Sequence, residues 1–224
     1  MIVRNWMKPD PQTIASDVLL AAAYRMFVDQ NLRALVVVDH GNLRGLLTRA
    51  HCLRAADSVA RTQDRHEFDY FTHRLKVKDI MVRRPSTLQA DDTMEHCLYV
   101  GQEKQQSQFP VLEQGKLVGI ITATEIFHMA AHMIGAWEHL SGVTLQPVII
   151  EPGTLAHIAN LVGNAGGCLQ SIYTVPASDE KYSRIVVRFD AVGLDTMIPV
   201  FEQAGLRVLE TCLEGRSTGS LHDA

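Results

Sequence analysis

The feature that most constrains this chain is an internal repeat. Residues 43–52, LRGLLTRAHC, align without a gap with residues 117–126, LVGIITATEI, which is an offset of 74 positions. At the same offset the two copies share identical residues at Met7 and Met81, Pro11 and Pro85, Thr13 and Thr87, Asp17 and Asp91, Val37 and Val111, and Gly41 and Gly115. Two copies are too few for a solenoid, so the repeat predicts a pair of similar modules.

Each copy has the pattern extended segment, helix, strand, strand, helix. In the first copy, Pro9 and Pro11 keep residues 7–16 extended. A helix follows, and the apolar residues at helical spacing that predict its buried face are Leu19, Ala22, Ala23 and Met26. Residues 35–39, LVVVD, are almost continuously apolar and predict a strand covered on both faces. Residues 43–47 follow a tight turn and predict its hairpin partner.

A hydroxyl and a carboxylate three residues apart stand where the last strand of the second copy turns into a helix. Thr122 and Glu125 have two possible uses there. They can form a capping box that satisfies backbone amides at the start of the helix, or they can hold the hydroxyls of a ribose. The pattern alone favours the capping box, because short motifs match frequently by chance. The equivalent pair in the first copy, Thr48 and His51, adds weight to the ribose clamp.

The rest of the chain divides where the pattern changes. The predicted segments are a first repeat at 1–62, a polar linker or helix extension at 63–74, a second repeat at 75–135 and a hinge at 135–143. Residues 143–213 predict the order βαββαβ of a ferredoxin-like sandwich, because two amphipathic helical patterns alternate with short apolar strands. Residues 214–224 are expected to be a disordered tail.

The composition argues against several classes of protein. The net charge is −4 with acids and bases interspersed, and no basic recognition helix stands out, so we expect no direct binding to nucleic acid. No apolar stretch approaches the roughly 20 residues of a membrane span. The four cysteines lie far apart, which is typical of reduced thiols in a cytoplasm. We therefore expect a cytoplasmic protein without a membrane partner.

No arrangement typical of catalysis stands out in the sequence. It has no nucleophile elbow and no phosphate-binding loop, so we predict no enzyme activity, no catalytic residues and no catalytic cofactor. Glu125, His128 and His132 share one face of a predicted helix and could hold a metal ion. A third strong ligand is missing, so we interpret the two histidines as polar residues of an amphipathic helix and predict no metal site.

The repeated unit resembles the CBS domain (cystathionine β-synthase domain), and the pair resembles a Bateman module. The resemblance rests on the extended segments WMKPDPQTI and IMVRRPSTL, the hairpins ALVVVDHGNLRGLLT and QFPVLEQGKLVGIIT, and the helix openings after Thr48 and Thr122. Residues 143–213 resemble an ACT domain through EPGTLAHI and GGCLQSI. A CBS pair followed by an ACT domain is similar to the acetoin-utilization B-type family. The implied fold class is mixed, α+β and α/β, with two βαββα repeats before a βαββαβ domain.

The resemblance implies a regulatory protein that binds AMP, ADP, ATP or S-adenosylmethionine. In this family the ribose is held by a G-h-x-T/S-x-x-D pattern, which here falls on Gly119, Thr122 and Glu125. The resemblance places the base against Thr87, Leu88, Phe109 and Pro110. The matching positions of the first copy are Gly45, Thr48 and His51, with Thr13, Ile14, Leu35 and Val36 around the base.

Two departures from the family pattern predict unequal sites. Glu125 is one methylene longer than the usual Asp and still accepts from ribose hydroxyls, whereas His51 cannot present two carboxylate oxygens. We therefore predict one competent site in the second copy and one degraded or specialised site in the first. A basic cluster would supply phosphate partners if a nucleotide bound nearby, although such clusters are more often solvated. Its members are Arg74, Lys76, Lys78, Arg83 and Arg84.

In ACT domains an amino acid commonly binds near the first strand–helix turn, which here implies Glu151, Gly153, Thr154, Leu155 and Cys168. Glu151 stands where the family more often has Asp, and Cys168 where Asn is common, so a domain that only dimerises is an equal alternative. Both modules imply a homodimer. The alternatives to regulatory ligand sensing are an acetoin-related enzyme and a dimeric scaffold or transcription-associated regulator that binds no nucleotide.

Overall fold

A computed structural model describes residues 1–62, 74–138, 140–213 and 216–220. These residues belong to two compact units, Met1–Phe127 and His128–Ala224, and both units mix helices with strands. Most of the predicted linker at 63–74 lies outside the described residues. The preceding helix continues to Thr62, and the expected extension beyond it stays a prediction.

The first unit contains the two repeats in the predicted order, except that the last helix of the second repeat continues past Phe127 into the second unit. It begins with a 3₁₀ turn at Val3–Asn5 and the strand β1 at Lys8–Pro9. The first repeat continues with β2 (Thr13–Ile14), α1 (Leu20–Asp29), β3 (Ala34–Asp39), β4 (Asn42–Thr48) and α2 (Arg49–Thr62). The second repeat contains α3 (Val77–Ile80), β5 (Leu88–Gln89), α4 (Met94–Lys104), β6 (Gln108–Glu113), β7 (Lys116–Thr122) and α5 (Ala123–Met133).

Each repeat gives its N-terminal extended segment to the hairpin of the other repeat. Strand β1 of the first repeat pairs with β7 of the second, with Lys8 opposite Ile120. At the equivalent place, Val82 of the second repeat exchanges two backbone hydrogen bonds of 2.9 Å with Leu46 of β4. The two repeats are therefore joined by backbone pairing as well as by side-chain packing.

A glycine makes each of these crossings possible. A Cβ atom at Gly119 would lie 2.5 Å from Met7 Sδ and 3.0 Å from the carbonyl oxygen of Lys8. A Cβ atom at Gly45 would lie 2.8 Å from Met81 Sδ and 2.6 Å from the carbonyl oxygen of Val82. Any larger residue would push the crossing segment away, so the glycine of the repeated motif has a packing role.

The core of the first repeat corrects one expectation about α1. The buried face of this helix contains Leu20, Ala23 and Phe27, one position later than the predicted Leu19. Leu19 is the extended N-cap residue and is 37% exposed, so the helical periodicity starts after it. The prediction for β3 is confirmed, because three consecutive residues at 35–37 have no solvent exposure.

The second unit has the predicted order βαββαβ and one further strand. Its elements are β8 (Ser141–Val148), α6 (Thr154–Asn164), β9 (Cys168–Pro176), β10 (Ser183–Asp190), α7 (Leu194–Gln203), β11 (Val208–Leu213) and β12 (Arg216–Ser220). The strands form one antiparallel sheet in the order β12-β11-β8-β10-β9. Residues of α6 and α7 share a core with β8, β10 and β11, which includes Leu145, Ile158, Val187, Phe201 and Val208.

Two expectations about the second unit are corrected. Residues 216–220 of the expected disordered tail pair with the edge of β11, where backbone groups are available without any need for apolar side chains. The other tail residues lie outside the described part. The expected hinge at 135–143 ends inside β8, because Ser141 and Gly142 are paired with β10.

Candidate functional site

The first unit contains a cleft of about 380 Å³ that both repeats build, which we call the Glu125 cleft. The second repeat contributes the end of β7 and the start of α5. The first repeat contributes its N-terminal segment and the loop before β3. The lining residues are Lys8, Pro11, Gln12, Asn31, Leu32, Arg33, Ala34, Ile120, Thr122, Thr124 and Glu125.

Thr122 and Glu125 are hydrogen-bonded to each other at the N-terminus of α5. Glu125 Oε2 accepts from the Thr122 amide at 2.8 Å and from the Thr122 hydroxyl at 2.5 Å. The Thr122 hydroxyl in turn accepts from the amide of Thr124 at 3.2 Å. One half of the predicted capping box is therefore present, because the Glu125 carboxylate accepts from the Thr122 amide as expected. The Thr122 hydroxyl accepts from the amide of Thr124 and not from that of Glu125. The same pair lines the cleft, so the two uses considered from the sequence are compatible.

A second cleft, of about 250 Å³, is formed by the equivalent positions of the other repeat, and we call it the His51 cleft. Its lining residues are Leu46, Thr48, His51, Val82, Pro85, Lys104, Gln105, Gln106, Ser107 and Gln108. Nine of these positions stand 74 residues from a residue that lines the Glu125 cleft. The internal repeat therefore produces two related clefts, and each combines both copies.

In the His51 cleft an imidazole takes the place of the carboxylate. His51 Nδ1 accepts from the Thr48 amide at 3.3 Å and lies 3.0 Å from the Thr48 hydroxyl, which accepts from the His51 amide. Burial lowers the pKa of His51 below its usual value, and the positive charge of Arg54 adds to this effect. Both observations favour a neutral ring whose Nδ1 is an acceptor.

The charged residues of the two clefts differ as well. Glu125 shares its cleft with two bases, Lys8 and Arg33. The positions equivalent to these bases in the His51 cleft are Val82 and Ser107, and its only lysine, Lys104, lies 3.6 Å from Glu103. The Glu125 cleft thus combines an acid with two bases, whereas the residues that line the His51 cleft include no acid.

Several residues predicted to surround the base do not line either cleft. Leu88 and Phe109 in the second copy, and Leu35 and Val36 in the first, have no solvent exposure because they pack into the cores of the repeats. Ile14 and Pro110 are also buried, Thr87 is half-buried, and Thr13 is exposed. Gly119 and Gly45 lie under the crossing segments. The five basic residues at 74–84 are not among the lining residues of either cleft.

Four of the five residues predicted as an ACT ligand site, Glu151, Gly153, Thr154 and Leu155, lie at the start of α6, whereas Cys168 follows the C-terminal end of this helix. The Glu151 amide donates to the Thr154 hydroxyl at 3.0 Å, and Gly153 adopts φ 92° as the N-cap. Leu155 packs against the core, which leaves it little surface for a ligand. Cys168 is exposed and begins β9, opposite Asp190.

Comparison with known proteins decides the family. A family model of the CBS domain matches residues 3–58 and 77–132, which together make up half of the chain. The chain belongs to the CBS domain family. The two matches coincide with the two repeats, so the predicted CBS pair is confirmed, while the ACT resemblance of residues 143–213 stays a prediction. No curated protein matches the chain.

Solved structures show the same fold for the CBS pair. A candidate acetoin utilization protein (AcuB) from Vibrio cholerae is 19% identical with a TM-score of 0.51, covering 62% of this chain and 96% of that one. The CBS-domain protein ATU1752 from Agrobacterium tumefaciens is 20% identical with a TM-score of 0.50, covering 58% and 99%. The complex of CBSX2 with AMP is 20% identical with a TM-score of 0.49, covering 58% and 95%, which is too distant to transfer a ligand.

Within the described residues, no helix is both long and apolar enough to cross a membrane. No group of three or more His, Cys, Asp or Glu side chains among them is arranged to hold a metal ion.

Proposed function

We propose that the CBS pair is a regulatory module that binds an adenosine ligand, AMP, ADP, ATP or S-adenosylmethionine, in the Glu125 cleft. The observation that carries this proposal is the meeting of Thr122 and Glu125 with Lys8 and Arg33 in one cleft. A carboxylate is a suitable acceptor for paired sugar hydroxyls, and basic side chains are suitable partners for phosphates. The volume of about 380 Å³ lies in the range of small-molecule sites.

The hydrogen bonds of Glu125 leave it able to take a ligand. Both bonds from Thr122 end on Oε2, and within the described residues Oε1 has no hydrogen-bond partner. The capping role of Glu125 therefore orients the carboxylate and leaves one oxygen for a ribose hydroxyl. A side chain that is held in place before binding loses less conformational entropy when the ligand arrives.

The second unit completes the proposal as an ACT-like domain. Its βαββαβ order supports this role, and its contribution is dimerisation or the sensing of an amino acid near Glu151, Gly153, Thr154, Leu155 and Cys168. The proposed protein is a cytoplasmic homodimer without enzyme activity, and a link to acetoin utilization rests on the family resemblance alone. Nucleotide binding would act on the rest of the protein only through a difference in affinity between two conformations.

The test is calorimetric titration of the full chain with AMP, ADP, ATP and S-adenosylmethionine. We expect Glu125→Ala to weaken binding by about 10- to 100-fold, because a charge-assisted hydrogen bond contributes roughly 1.5–3 kcal/mol. Glu125→Gln keeps an acceptor for the Thr122 amide and should still lose affinity, which separates ligand binding from helix capping. His51→Ala is the matched control and should leave the affinity within about threefold, since on this proposal His51 holds no ribose hydroxyl.

Two outcomes would overturn the proposal. Unchanged affinity in Glu125→Ala, with loss in His51→Ala, would assign the ligand to the His51 cleft. No heat of binding with any of the four ligands would leave a capping box in a dimeric scaffold.

A further inference from the structure

The first repeat contains a further cavity, of about 400 Å³, beside the turn that joins β3 to β4. Its lining includes two acids, Asp17 and Asp39, together with Ser16, His40 and Arg44. None of its lining residues lines the Glu125 cleft or the His51 cleft. While His40 is neutral, the two carboxylates outnumber the one guanidinium, so the cavity attracts a cation rather than an anion.

The second repeat has a guanidinium at the equivalent place. At the offset of 74 positions, Asp17 and Asp39 correspond to Asp91 and Glu113. The side chain of Arg4 donates to both carboxylate oxygens of Glu113. This hydrogen bonding raises the pKa of Arg4, and the negative charge of Asp91 adds to the effect. One guanidinium therefore interacts with both acids of the second repeat.

The residue equivalent to Arg4 in the first repeat is Lys78, and the two backbones are placed alike. The Arg4 amide donates to the carbonyl oxygen of Ala90 at 2.9 Å, and the Lys78 amide donates to that of Ser16 at 2.9 Å. The Lys78 side chain is exposed, does not line the cavity and makes no ion pair with a described residue. The same backbone arrangement therefore brings a guanidinium to one pair of acids, while the other pair faces a cavity.

The carboxylate of Asp39 is held in place and remains accessible. Its Oδ1 accepts from the Ser16 amide at 2.9 Å, and its Oδ2 lies 3.6 Å from Nε of Arg44. The Arg44 side chain is 53% exposed, and an ion pair at the surface is weak enough for a ligand to compete with it. The Asp39 side chain is 22% exposed and Asp17 is exposed, so a ligand reaches both carboxylates without a change of fold.

We propose that Asp39 and Asp17 form a binding site for the guanidinium group of a small ligand. The planar guanidinium has five N–H donors in a fixed fork, which suits two carboxylates at once, whereas an ammonium is a point charge. Arg44 lines the same cavity and is a suitable partner for a carboxylate of the same ligand. The volume of about 400 Å³ is sufficient for a molecule of the size of an amino acid. The proposal does not depend on adenosine binding in the Glu125 cleft.

The test is a titration of the full chain with L-arginine, followed by the backbone amide signals of residues 15–17 and 38–40 in ¹⁵N–¹H NMR spectra. L-citrulline is the control ligand, because a neutral urea group replaces the guanidinium and the rest of the molecule is the same. Sodium chloride keeps the ionic strength constant. We expect shifts that saturate with L-arginine and an affinity for L-citrulline that is about tenfold weaker. Equal responses to the two ligands, or no response to L-arginine, would overturn the proposal.

Three variants locate the binding. Asp39→Asn keeps the size of the side chain and should weaken L-arginine binding by about tenfold, because it removes a charged acceptor. Lys78→Arg gives the first repeat the residue of the second and should also weaken binding, since its guanidinium competes for the acids. Asp29→Asn, at an exposed acid that ends α1, is the matched control and should leave the affinity unchanged. An equal loss in Asp29→Asn would mean general attraction of cations and would contradict the proposal.

A second measurement identifies the source of the guanidinium. Light scattering after size exclusion compares the native chain with Asp39→Asn. An unchanged molar mass is expected for a small-molecule site. An oligomer that dissociates in Asp39→Asn, with no response of the native chain to L-arginine, would assign the guanidinium to a second copy and refute the small-ligand proposal.

Discussion

The two clefts of the CBS pair have equivalent backbones and different chemistry. Glu125 lies with Lys8 and Arg33, whereas His51 lies at the equivalent position with neutral residues where those bases would be. The hydrogen bond from the threonine amide is present in both clefts, to a carboxylate in one and to an imidazole in the other. Both repeats therefore keep the hydrogen bond at the start of the helix and the crossing of the N-terminal segments. A few side chains make the chemistry of the two clefts different.

The cores of the two repeats differ in a complementary way. Phe27 and Leu35 of the first repeat correspond to Gly101 and Phe109 of the second. A Cβ atom at Gly101 would lie 3.5 Å from Cζ of Phe109, so the ring of β6 occupies space next to the glycine of α4. The large aromatic side chain belongs to the helix in the first repeat and to the strand in the second. Each core therefore remains filled, as close packing requires.

The largest expected effect comes from emptying the second core. Phe109→Ala should lower the free energy of unfolding by about 3–5 kcal/mol, because it removes a fully buried ring and leaves a cavity beside Gly101. Urea denaturation measures this loss. Phe27→Ala should cost a similar amount in the first repeat. Tyr99→Ala, at a residue that is 64% exposed, is the control and should change stability little. Similar small losses in all three variants would contradict the exchange of volumes.

The next effect is the gain of a binding site. His51→Glu places a carboxylate next to Thr48 in the geometry of Glu125 and Thr122, and we expect a second binding event in calorimetry. Its affinity should remain about tenfold weaker than that of the Glu125 cleft, because Val82 and Ser107 supply no base for the phosphates. The reverse variant, Glu125→His, should abolish the original event. If His51→Glu binds no additional ligand, the asymmetry lies in the shape of the cleft.

A smaller effect is expected from one base of the Glu125 cleft. Arg33→Ala should weaken ATP binding by about three- to tenfold and leave adenosine binding unchanged, since the guanidinium would contact phosphate only. The loss of ATP affinity in Arg33→Ala should be smaller at high salt. Arg33 is exposed, so salt screens its attraction for the phosphates. Ser107→Ala, at the equivalent position, is the control. An equal loss for adenosine and ATP would show that Arg33 shapes the cleft.

The smallest effect concerns the protonation of His51. Its pKa in the folded protein lies below the usual 6.5, so in the interval between these two values the unfolded chain binds the proton more readily. The free energy of unfolding should therefore fall as the pH drops below about 6.5 and level off below the folded pKa. Urea denaturation between pH 8 and pH 5 measures this slope. His51→Gln keeps a neutral acceptor and should flatten it; an identical slope would locate the titration elsewhere.

The sequence predicted the element order and the threonine–acid pair because both follow from local pattern. The alternation of apolar and polar residues and the helical spacing are properties of residues close together in sequence. The offset of 74 positions aligns Thr122 and Glu125 with Thr48 and His51. The walls of the clefts could not be predicted in this way. The pattern of each copy predicts Phe109 and Leu35 beside the pair of their own copy, but the crossing of β1 to β7 brings Lys8 into the cleft of Glu125, which Arg33 also lines.

The place of Arg188 in the sheet of the second unit shows a second limit of sequence reasoning. In SRIVVRFD the arginine has the spacing of an outward-facing strand residue, which normally lies in solvent. Only the strand register reveals that Gly142 and Ser171 are its neighbours. Register between strands distant in sequence depends on the assembled sheet, so no local pattern reports it.

The exchange of N-terminal segments has a consequence for the history of the protein. Since each cleft takes Lys8 and Arg33, or their equivalents Val82 and Ser107, from one repeat and the threonine pair from the other, a single repeat holds no complete cleft. A free-standing ancestor would have needed to associate with its own copy, and its two clefts would have been identical by symmetry. Fusion of two such copies into one chain released that constraint, and only after fusion could one cleft keep an acid while the other acquired a histidine.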